Sequence, residues 1–429
     1  MAELSGLSGW RYNPTHVSDL AGVTVPPYDV ISPAEQAAYL AKNPFSFIQL
    51  ELPQADAELG LDKYQNAARI LHKWVEDQVL VHEAMPAIYF YEQTFTVGTE
   101  RHSRLGFISA LRLEPWSAGV ILPHERTLAK PKADRLALME ATKSQLSPVF
   151  ALYEDSGDLA ELVRSAAQGQ PNVDCTDEAG VQHRVWIRSA SSLVNEISAT
   201  LAHRKVVIAD GHHRYETALA YRDQLMAKGP VPNDDPSRFV LMMLVSMADP
   251  GLVVLPTHRV VFGLDADRVQ TLLPALQDAW HVEAVAPAAL PERLKAAAGP
   301  GALGVVLPDG AYLATVKDWS LIERAFPEMS DAYKRLDVAI LHRCLLEQVL
   351  GIDIAAQAAQ TNLSYIKNDA DALAAVSKGG AQVAFLLQST PVEALVAVAK
   401  AGEVMPQKST YFYPKLRSGL VFNGLETLK

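Results

Sequence analysis

Cysteine and long apolar runs are scarce in this chain of 429 residues. Its two cysteines, Cys175 and Cys344, lie far apart in the sequence, which argues against a disulfide framework and against a cysteine-ligated metal site. No apolar run is long enough to span a bilayer, and the first ten residues lack the basic region and apolar core of a secretory signal. We therefore expect a cytoplasmic protein without a membrane partner.

Basic charge is also in deficit, because the formal net charge is −11 and no basic run stands out. Nucleic-acid binders usually carry a basic excess or a basic stripe, so we expect no nucleic-acid partner. A local basic pocket for one small anion is compatible with this charge. The hydrophobic content of 49% is typical of a globular chain with a sizeable core, divided at this length into two or three units. The sequence leaves the oligomeric state open.

Hydrophobic periodicity predicts both helices and strands, and no internal repeat is present. Ser32-Pro33-Ala34-Glu35 has the pattern of a helix start, with serine as N-cap and glutamate three residues on. Apolar residues at helical spacing predict a helix from Asp62 to Asp77, and alternation predicts a hairpin of two strands, 87–97 and 104–113. Residues 45–52 are predicted as a strand and 336–350 as an amphipathic helix. The fold class expected is α/β to α+β with mixed sheets.

One stretch near the middle of the chain concentrates polar residues at a predicted strand-to-helix turn. Val206 to Ile208 is predicted as a short buried strand, and the pattern is helical from His212 onward to Gly229. We call the segment Asp210 to Arg214, which includes the turn and the first residues of the helix, the central turn. A glycine-containing turn that opens a helix presents backbone N–H groups that can hold an anion.

Each residue of the central turn suits phosphate binding. Asp210 can cap the helix start, and Gly211 permits a backbone conformation or a close approach that a side chain forbids. Arg214 can bind phosphate oxygens through its planar fork, and His212 and His213 add donors near pH 7. The alternative is a capped surface helix with solvated histidines and arginine.

Two carboxylates are candidates for acid–base chemistry. Glu125 can act as a general base or as a Mg²⁺ ligand, because hard cations prefer carboxylate oxygens, and His124 can assist it. Asp29 lies in an extended, proline-flanked segment and is the second candidate. The alternatives are a solvent-facing loop with an internal ion pair for the first motif and a turn or capping residue for Asp29.

Further cationic and hydroxyl groups lie toward the C-terminus. Lys408, Ser409 and Thr410 offer donors that suit a phosphate, and an aromatic residue of 411–413 can stack on a nucleobase. Arg259 follows a histidine in a predicted strand and can add positive charge. The alternatives are an edge strand with surface lysines and a surface-facing dipeptide.

Five motifs in order along the chain resemble one family, the bacterial and archaeal proteins grouped as domain of unknown function 1015. The motifs are Pro27-Tyr28-Asp29-Val30-Ile31-Ser32, Pro123-His124-Glu125-Arg126-Thr127, Ala209-Asp210-Gly211-His212-His213-Arg214-Tyr215-Glu216-Thr217-Ala218, Pro256-Thr257-His258-Arg259, and Met405-Pro406-Gln407-Lys408-Ser409-Thr410-Tyr411-Phe412-Tyr413-Pro414-Lys415. The central Asp-Gly-His-His-Arg box is similar to the signature of the ParB/sulfiredoxin superfamily, whose members bind nucleotide phosphates at a turn before a helix.

This second resemblance narrows the chemistry. Sulfiredoxin has a cysteine where this chain has His212, and ParB needs a DNA-binding segment that this sequence does not supply. The box is most similar to that of the free-serine kinases, which use ADP or ATP. The resemblance implies a ParB/sulfiredoxin-like core in residues 1–262 with an insertion near 56–120. We expect a small α+β subdomain in 263–330 and a C-terminal α/β region in 331–429, whose last strand returns to the core.

The function expected from these features is a Mg²⁺-dependent phosphotransferase that uses ADP or ATP on a small hydroxyl metabolite, with free serine as the leading candidate. The central turn, Arg259 and residues 408–410 would bind phosphate, while Glu125 or Asp29 would act as base or metal ligand. One alternative is a non-catalytic sensor of a nucleotide or phosphometabolite. The other is a metal-dependent phosphoester hydrolase built on His124, Glu125 and His213. The spacing of His212, His213 and Glu216 does not match a strong zinc pattern.

Overall fold

A computed structural model describes residues 1–125, 127, 129–297, 299–426 and 428. Arg126, which belongs to one of the quoted motifs, therefore lies outside the described residues. The chain divides into two compact units. The first comprises Met1–Pro123, Thr127–Leu252 and Pro414–Lys429, and the second comprises His124–Arg126 and Val253–Tyr413.

The first unit is built on a mixed sheet. Among the described residues this sheet has nine strands, which are, from one edge to the other, Ile121–Leu122, Val206–Asp210, Val149–Tyr153, Phe239–Ser246, Glu100–Arg112, Ile88–Val97, Gln182–Arg188 and Val173–Thr176, with Leu4–Ser5 paired to Glu100–Arg112. Two of the pairings are parallel, between Val206–Asp210 and Ile121–Leu122 and between Phe239–Ser246 and Val149–Tyr153, and the others are antiparallel. The mixed sheet and the helices around it confirm the predicted α+β class.

Helices and short strands complete this unit. The helices are Pro33–Lys42, Ile48–Glu51, Lys63–Glu76, Ala129–Thr142, Asp158–Ala166, Ser191–Leu201 and His212–Lys228. The short pairs of strands are Trp10–Tyr12 with Leu80–His82 and Ser144–Gln145 with Asn423–Gly424. One apolar core lies on the large sheet and includes Tyr215 and Ala218 of the last helix. A second apolar cluster gathers Phe47, Ile48 and Trp74.

The early elements follow the sequence prediction in most places. Ser32 and Glu35 form the expected capping box, and Asp62 caps the helix Lys63–Glu76 by accepting from two backbone N–H groups. The predicted hairpin is present as Ile88–Val97 and Glu100–Arg112. The strand predicted for residues 45–52 is wrong, because Ile48–Glu51 is helical. Phe47, Ile48 and Leu50 are fully buried. A short buried run of this kind has no periodicity that distinguishes a strand from a helix.

The second unit contains an antiparallel sheet. Its six described strands run in the order Trp280–Val285, Gly310–Val316, Ala302–Leu307, Val383–Leu386, His258–Val261 and Leu363–Ile366. A separate pair joins Val253–Leu255 to Tyr411–Tyr413. The helices are Ala266–Gln270, Leu272–Ala279, Leu290–Ala296, Trp319–Ala325, Asp331–Lys334, Asp337–Ile340, Ile354–Ala359, Asp369–Ser377 and Val392–Lys400. Leu341–Glu347 is a π-helix, which interrupts the regular helix predicted for 336–350.

No helix among the described ranges has the length and the apolar character that crossing a membrane requires.

Candidate functional site

The central turn opens a 17-residue helix at the end of a buried strand. Val206–Asp210 is the strand, and His212–Lys228 is the helix. Gly211 lies between them with a φ of +90°, in the left-handed region that favours glycine. The N-cap role expected of Asp210 falls to Gly211. The positive end of the helix dipole therefore begins directly at the glycine, which favours an anion there.

Arg214 folds back across this glycine. A Cβ atom at Gly211 would lie 2.9 Å from the Arg214 guanidinium, so the absence of a side chain makes room for it. The guanidinium donates to the carbonyl oxygen of Pro148 and to the Asp210 carboxylate, with 3.1 Å between Nη2 and Oδ2. Lys415 pairs with the other oxygen of Asp210 at 3.3 Å. Asp210 thus holds two cations at the helix start.

The rest of the first two helical turns fixes the helix to its unit. His212 is buried and His213 half-buried. Glu216 accepts a hydrogen bond of 2.7 Å from the Thr127 hydroxyl and pairs with Lys132 at 2.7 Å. Tyr215 is buried and belongs to the apolar core of the first unit. These contacts fix the start of the helix within the first unit.

Asp29 lies in the same unit as the central turn and is exposed on the short 3₁₀ turn Tyr28–Val30. Burial raises the pKa of Tyr28, the charge of Asp29 raises it further, and the charges of Arg135 and Arg214 lower it. Asp29 and Arg214 therefore act electrostatically on one phenol group. Both residues belong to the first unit.

A second arginine of the first unit, Arg104, was not identified as a site residue from the sequence. Arg104 is fully buried, donates to the carbonyl oxygen of Pro414 at 2.6 Å and lies 4.8 Å from the centre of the Phe150 ring. Burial lowers the pKa of Arg104 to about 10, while the charges of neighbouring groups, Asp210 among them, oppose that shift. The side chain is therefore still cationic at pH 7. Its position in the strand Glu100–Arg112 gave no sign that this arginine would be buried.

In the second unit, residues from two distant motifs meet. We call His124, Glu125, Lys408 and Thr410 the Glu125 cluster. His124 is fully buried, and its Nε2 lies 3.0 Å from the Thr410 hydroxyl oxygen. The backbone N–H of Lys408 lies 3.3 Å from Glu125 Oε1, and Lys408 has a left-handed φ of +55°. Glu125 is half-buried and Lys408 exposed, so both side chains reach the surface.

Arg259 supports this cluster from inside the protein. It is fully buried, and its guanidinium donates to the carbonyl oxygens of Gln407 and Lys408 at 3.1 and 3.0 Å and to that of Thr257. Burial lowers the pKa of Arg259 to about 10. The buried Ser409 hydroxyl likewise donates to a backbone carbonyl, that of Pro406, at 2.5 Å. Arg259 and Ser409 are predicted from the sequence to contact phosphate. The hydrogen bonds described for their side chains instead go to other groups of the protein.

The Glu125 carboxylate has the chemistry that Mg²⁺ requires. This ion is usually bound by one or two carboxylates together with substrate phosphates and water, so a protein need not supply a complete cage. Within the part of the chain that the structure describes, no group of three or more His, Cys, Asp or Glu side chains could hold a metal ion. Both cysteines are free thiols.

Comparison with known proteins gives a family and several distant structural neighbours. The model of a family described as "Protein of unknown function (DUF1015)" matches residues 4–339. None of the curated proteins matches. Similar solved structures include a conserved hypothetical protein from Pyrococcus furiosus, at 14% identity over 73% of this chain and 93% of that one, with a TM-score of 0.36.

Two further structural neighbours are a free serine kinase and the protein SbnI. A mutant free serine kinase in complex with ADP is 13% identical over 72% of this chain and 87% of its own, with a TM-score of 0.37. SbnI with a C-terminal truncation from Staphylococcus aureus is 12% identical over 72% and 85%, with a TM-score of 0.36. Sequence identities and TM-scores this low carry no argument about function, so the function proposed below rests on this chain's own residues.

Proposed function

The chain belongs to the DUF1015 family, and from its own residues we propose that it is a Mg²⁺-dependent phosphotransferase. It would use ADP or ATP to phosphorylate a small hydroxyl metabolite in the cytoplasm. Free serine is the leading candidate acceptor, because the central Asp-Gly-His-His-Arg box is similar to that of the free-serine kinases.

The observation that carries the proposal is the left-handed Gly211 at the start of the helix His212–Lys228. Phosphate groups bind well where a helix begins, since backbone N–H groups and the helix dipole both favour negative charge. The described bonds use two of the five N–H donors of Arg214, which leaves donors on the same fork for a phosphate oxygen. Lys415 adds positive charge nearby through its pair with Asp210.

The chemistry required of the protein is modest. The acceptor hydroxyl oxygen would attack the terminal phosphorus of the nucleotide, forming a new P–O bond as the P–O bond to the nucleotide breaks. The hydroxyl proton would pass to a carboxylate, and the nucleotide would leave one phosphate shorter. Positioning and neutralisation of charge provide most of the rate enhancement in such reactions. Mg²⁺, when bound, would supply that neutralisation on the phosphate oxygens.

Asp29 is our first candidate for the base, because it is exposed and shares the unit of the central turn. Glu125 is the second candidate, and its half-buried carboxylate also suits a Mg²⁺ ligand.

Paired variants test the proposal. We expect the wild-type chain to convert ADP or ATP and L-serine into phosphoserine in the presence of Mg²⁺, measured by mass spectrometry of the products. Asp29→Asn or Glu125→Gln should lower turnover about 100-fold or more, the usual effect of losing an acid–base group, while nucleotide affinity changes little. Asp234→Asn, at another exposed carboxylate of the first unit, is the matched control and should leave turnover unchanged.

The same measurements separate the alternatives. A sensor would bind nucleotide, seen as a rise in melting temperature, without any turnover. A hydrolase would release phosphate from a phosphoester without an acceptor. If neither ADP nor ATP at millimolar concentration raises the melting temperature, the phosphotransferase and a sensor of these nucleotides both fail.

A further inference from the structure

A groove of about 460 Å³ lies on the large sheet of the first unit, beside the helix Asp158–Ala166. This volume falls within the range of about 300–1,000 Å³ that is usual for small-molecule sites. The apolar part of its lining includes Leu105 and Trp186, and the polar part includes Tyr153 and Asp249. The proposed function uses none of these residues. The groove therefore suits a ligand that has an apolar body and a polar group.

The Asp249 carboxylate gives the groove an anionic group. It is half-buried, and its two oxygens accept from backbone N–H groups, that of Gly251 at 2.8 Å and that of Leu105 at 3.3 Å. Asp249 takes part in no ion pair within the described part of the chain. Burial raises the pKa of this carboxyl, and the backbone donors and the charges of Arg104 and Arg164 offset that shift only in part. A carboxylate in this state favours a ligand that brings a positive charge.

The other charged residues of the lining are paired within the protein. The pairs are Glu92 with Arg184 at 3.1 Å, Asp155 with Arg204 at 2.5 Å, and Arg164 with Glu161 at 2.7 Å. The lining itself contributes three carboxylates and one guanidinium, so it is negative overall and attracts a cation. Asp249 is therefore the lining charge that a ligand cation would neutralise.

The Tyr153 hydroxyl is a second and independent sign of a ligand. Tyr153 is 1% exposed, and among the described residues its hydroxyl makes no hydrogen bond. The fully enclosed polar atoms that lack a partner belong to other side chains, so the small accessible part of Tyr153 includes this hydroxyl. Ser246 is paired with Tyr153 in the sheet, and Asp249 closes the turn that follows, its N–H donating to the Ser246 carbonyl at 3.0 Å. The backbone thus brings the carboxylate and the phenol to the same end of two neighbouring strands.

We propose that this groove binds an organic cation, a primary amine whose ammonium group pairs with Asp249 and donates a hydrogen bond to the Tyr153 hydroxyl oxygen. The apolar body of the amine would lie against Leu105 and Trp186. An anion of the same shape is rejected, because it would meet the Asp249 carboxylate. Binding needs neither nucleotide nor Mg²⁺, so this inference is independent of the phosphotransferase proposed above.

Calorimetric titration of the full chain at pH 7 with hexylamine, hexanol and hexanoate tests the site. The three probes share one apolar body and differ in the polar group. We expect saturable binding of hexylamine, at least about tenfold tighter than that of hexanol, and no binding of hexanoate. The proposal is overturned if hexylamine does not bind at millimolar concentration, if hexanol binds equally well, or if hexanoate binds.

Tyr153→Phe and Tyr215→Phe form a matched pair of variants. The first removes a hydroxyl that the described chain does not use, so it should weaken hexylamine binding about three- to tenfold and leave the melting temperature unchanged. Tyr215 is equally buried in the same unit, but its hydroxyl donates to the Glu114 carbonyl at 2.7 Å and accepts from the Glu114 N–H at 3.0 Å. Tyr215→Phe should therefore lower the melting temperature and keep the affinity for hexylamine. Equal effects of the two variants on binding would refute the role of Tyr153.

Asp249→Asn tests the charge separately. It should weaken hexylamine binding at least about tenfold without weakening hexanol binding. Asp235→Asn is its control, because Asp235 also accepts from the backbone N–H two residues on, that of Ser237 at 2.9 Å, and does not line the groove. It should leave both affinities unchanged. If Asp249→Asn does not fold, the three probes and the tyrosine pair still decide the question.

Discussion

At the scale of single residues, Gly211 combines two constraints that no other residue type satisfies. Its φ of +90° is unfavourable for any side chain, and a Cβ would meet the Arg214 guanidinium at 2.9 Å. We expect Gly211→Ala to lower the free energy of unfolding by about 1–3 kcal/mol, measured by urea denaturation, and to weaken nucleotide binding.

Gly157→Ala is the control for the conformational part of that effect. Gly157 also precedes a helix in the first unit with a positive φ, of +107°, but a Cβ there meets nothing within 4 Å. It should show a backbone cost of about 1 kcal/mol and normal nucleotide binding. Equal loss of nucleotide affinity in both variants would contradict a specific role for Gly211.

At the scale of elements, the segment 405–410 depends on Arg259 for its shape. We expect Arg259→Lys to lower the free energy of unfolding by about 2–4 kcal/mol, because a lysine cannot reach the carbonyl oxygens of Thr257, Gln407 and Lys408 together. Urea denaturation measures this. Arg343→Lys, at a half-exposed arginine of the same unit, should change stability by less than about 0.5 kcal/mol. Similar losses in the two variants would refute the supporting role.

Local signals explain which elements the sequence could predict. The helix Lys63–Glu76 has a cap at Asp62 and a clear apolar period, and both are properties of neighbouring residues. The π-helix Leu341–Glu347 and the helix Ile48–Glu51 depend on their surroundings in the fold, so period and composition do not specify them. The central strand, turn and helix were predicted because glycine and the change from strand to helix pattern lie within a few residues.

The candidate site was predictable only where its residues belong to motifs. His124 and Thr410 lie in separate quoted motifs, and the structure brings them to 3.0 Å. Arg104 belongs to none of these motifs, and its position arises from contacts with Pro414 and Phe150, which are distant in the chain.

At the scale of the whole molecule, stability should depend on pH through a buried histidine in each unit. Burial lowers the pKa of His342 from 6.5 to about 3, and burial also lowers the pKa of His183. Below pH 6.5 the unfolded chain takes up protons that the folded chain resists. Stability is therefore fully present above pH 6.5 and is lost as the pH falls through and below that value.

Urea denaturation at pH 7.5 and pH 5 measures this loss. His342→Gln keeps a side chain that can accept from Arg259 but removes one titrating group, so its stability should fall less between the two pH values than that of the wild type. An unchanged difference would show that His342 does not carry the effect.

The resting position of Arg214 has a thermodynamic consequence for any anion that reaches the central turn. An arginine free in solvent loses rotamer entropy when it closes on a ligand, at a cost of about 0.5–1.5 kcal/mol. Here the Pro148 carbonyl and the Asp210 carboxylate already immobilise the guanidinium before a ligand arrives. Association should therefore be accompanied by little ordering of this side chain, so this part of the entropic cost of binding is small.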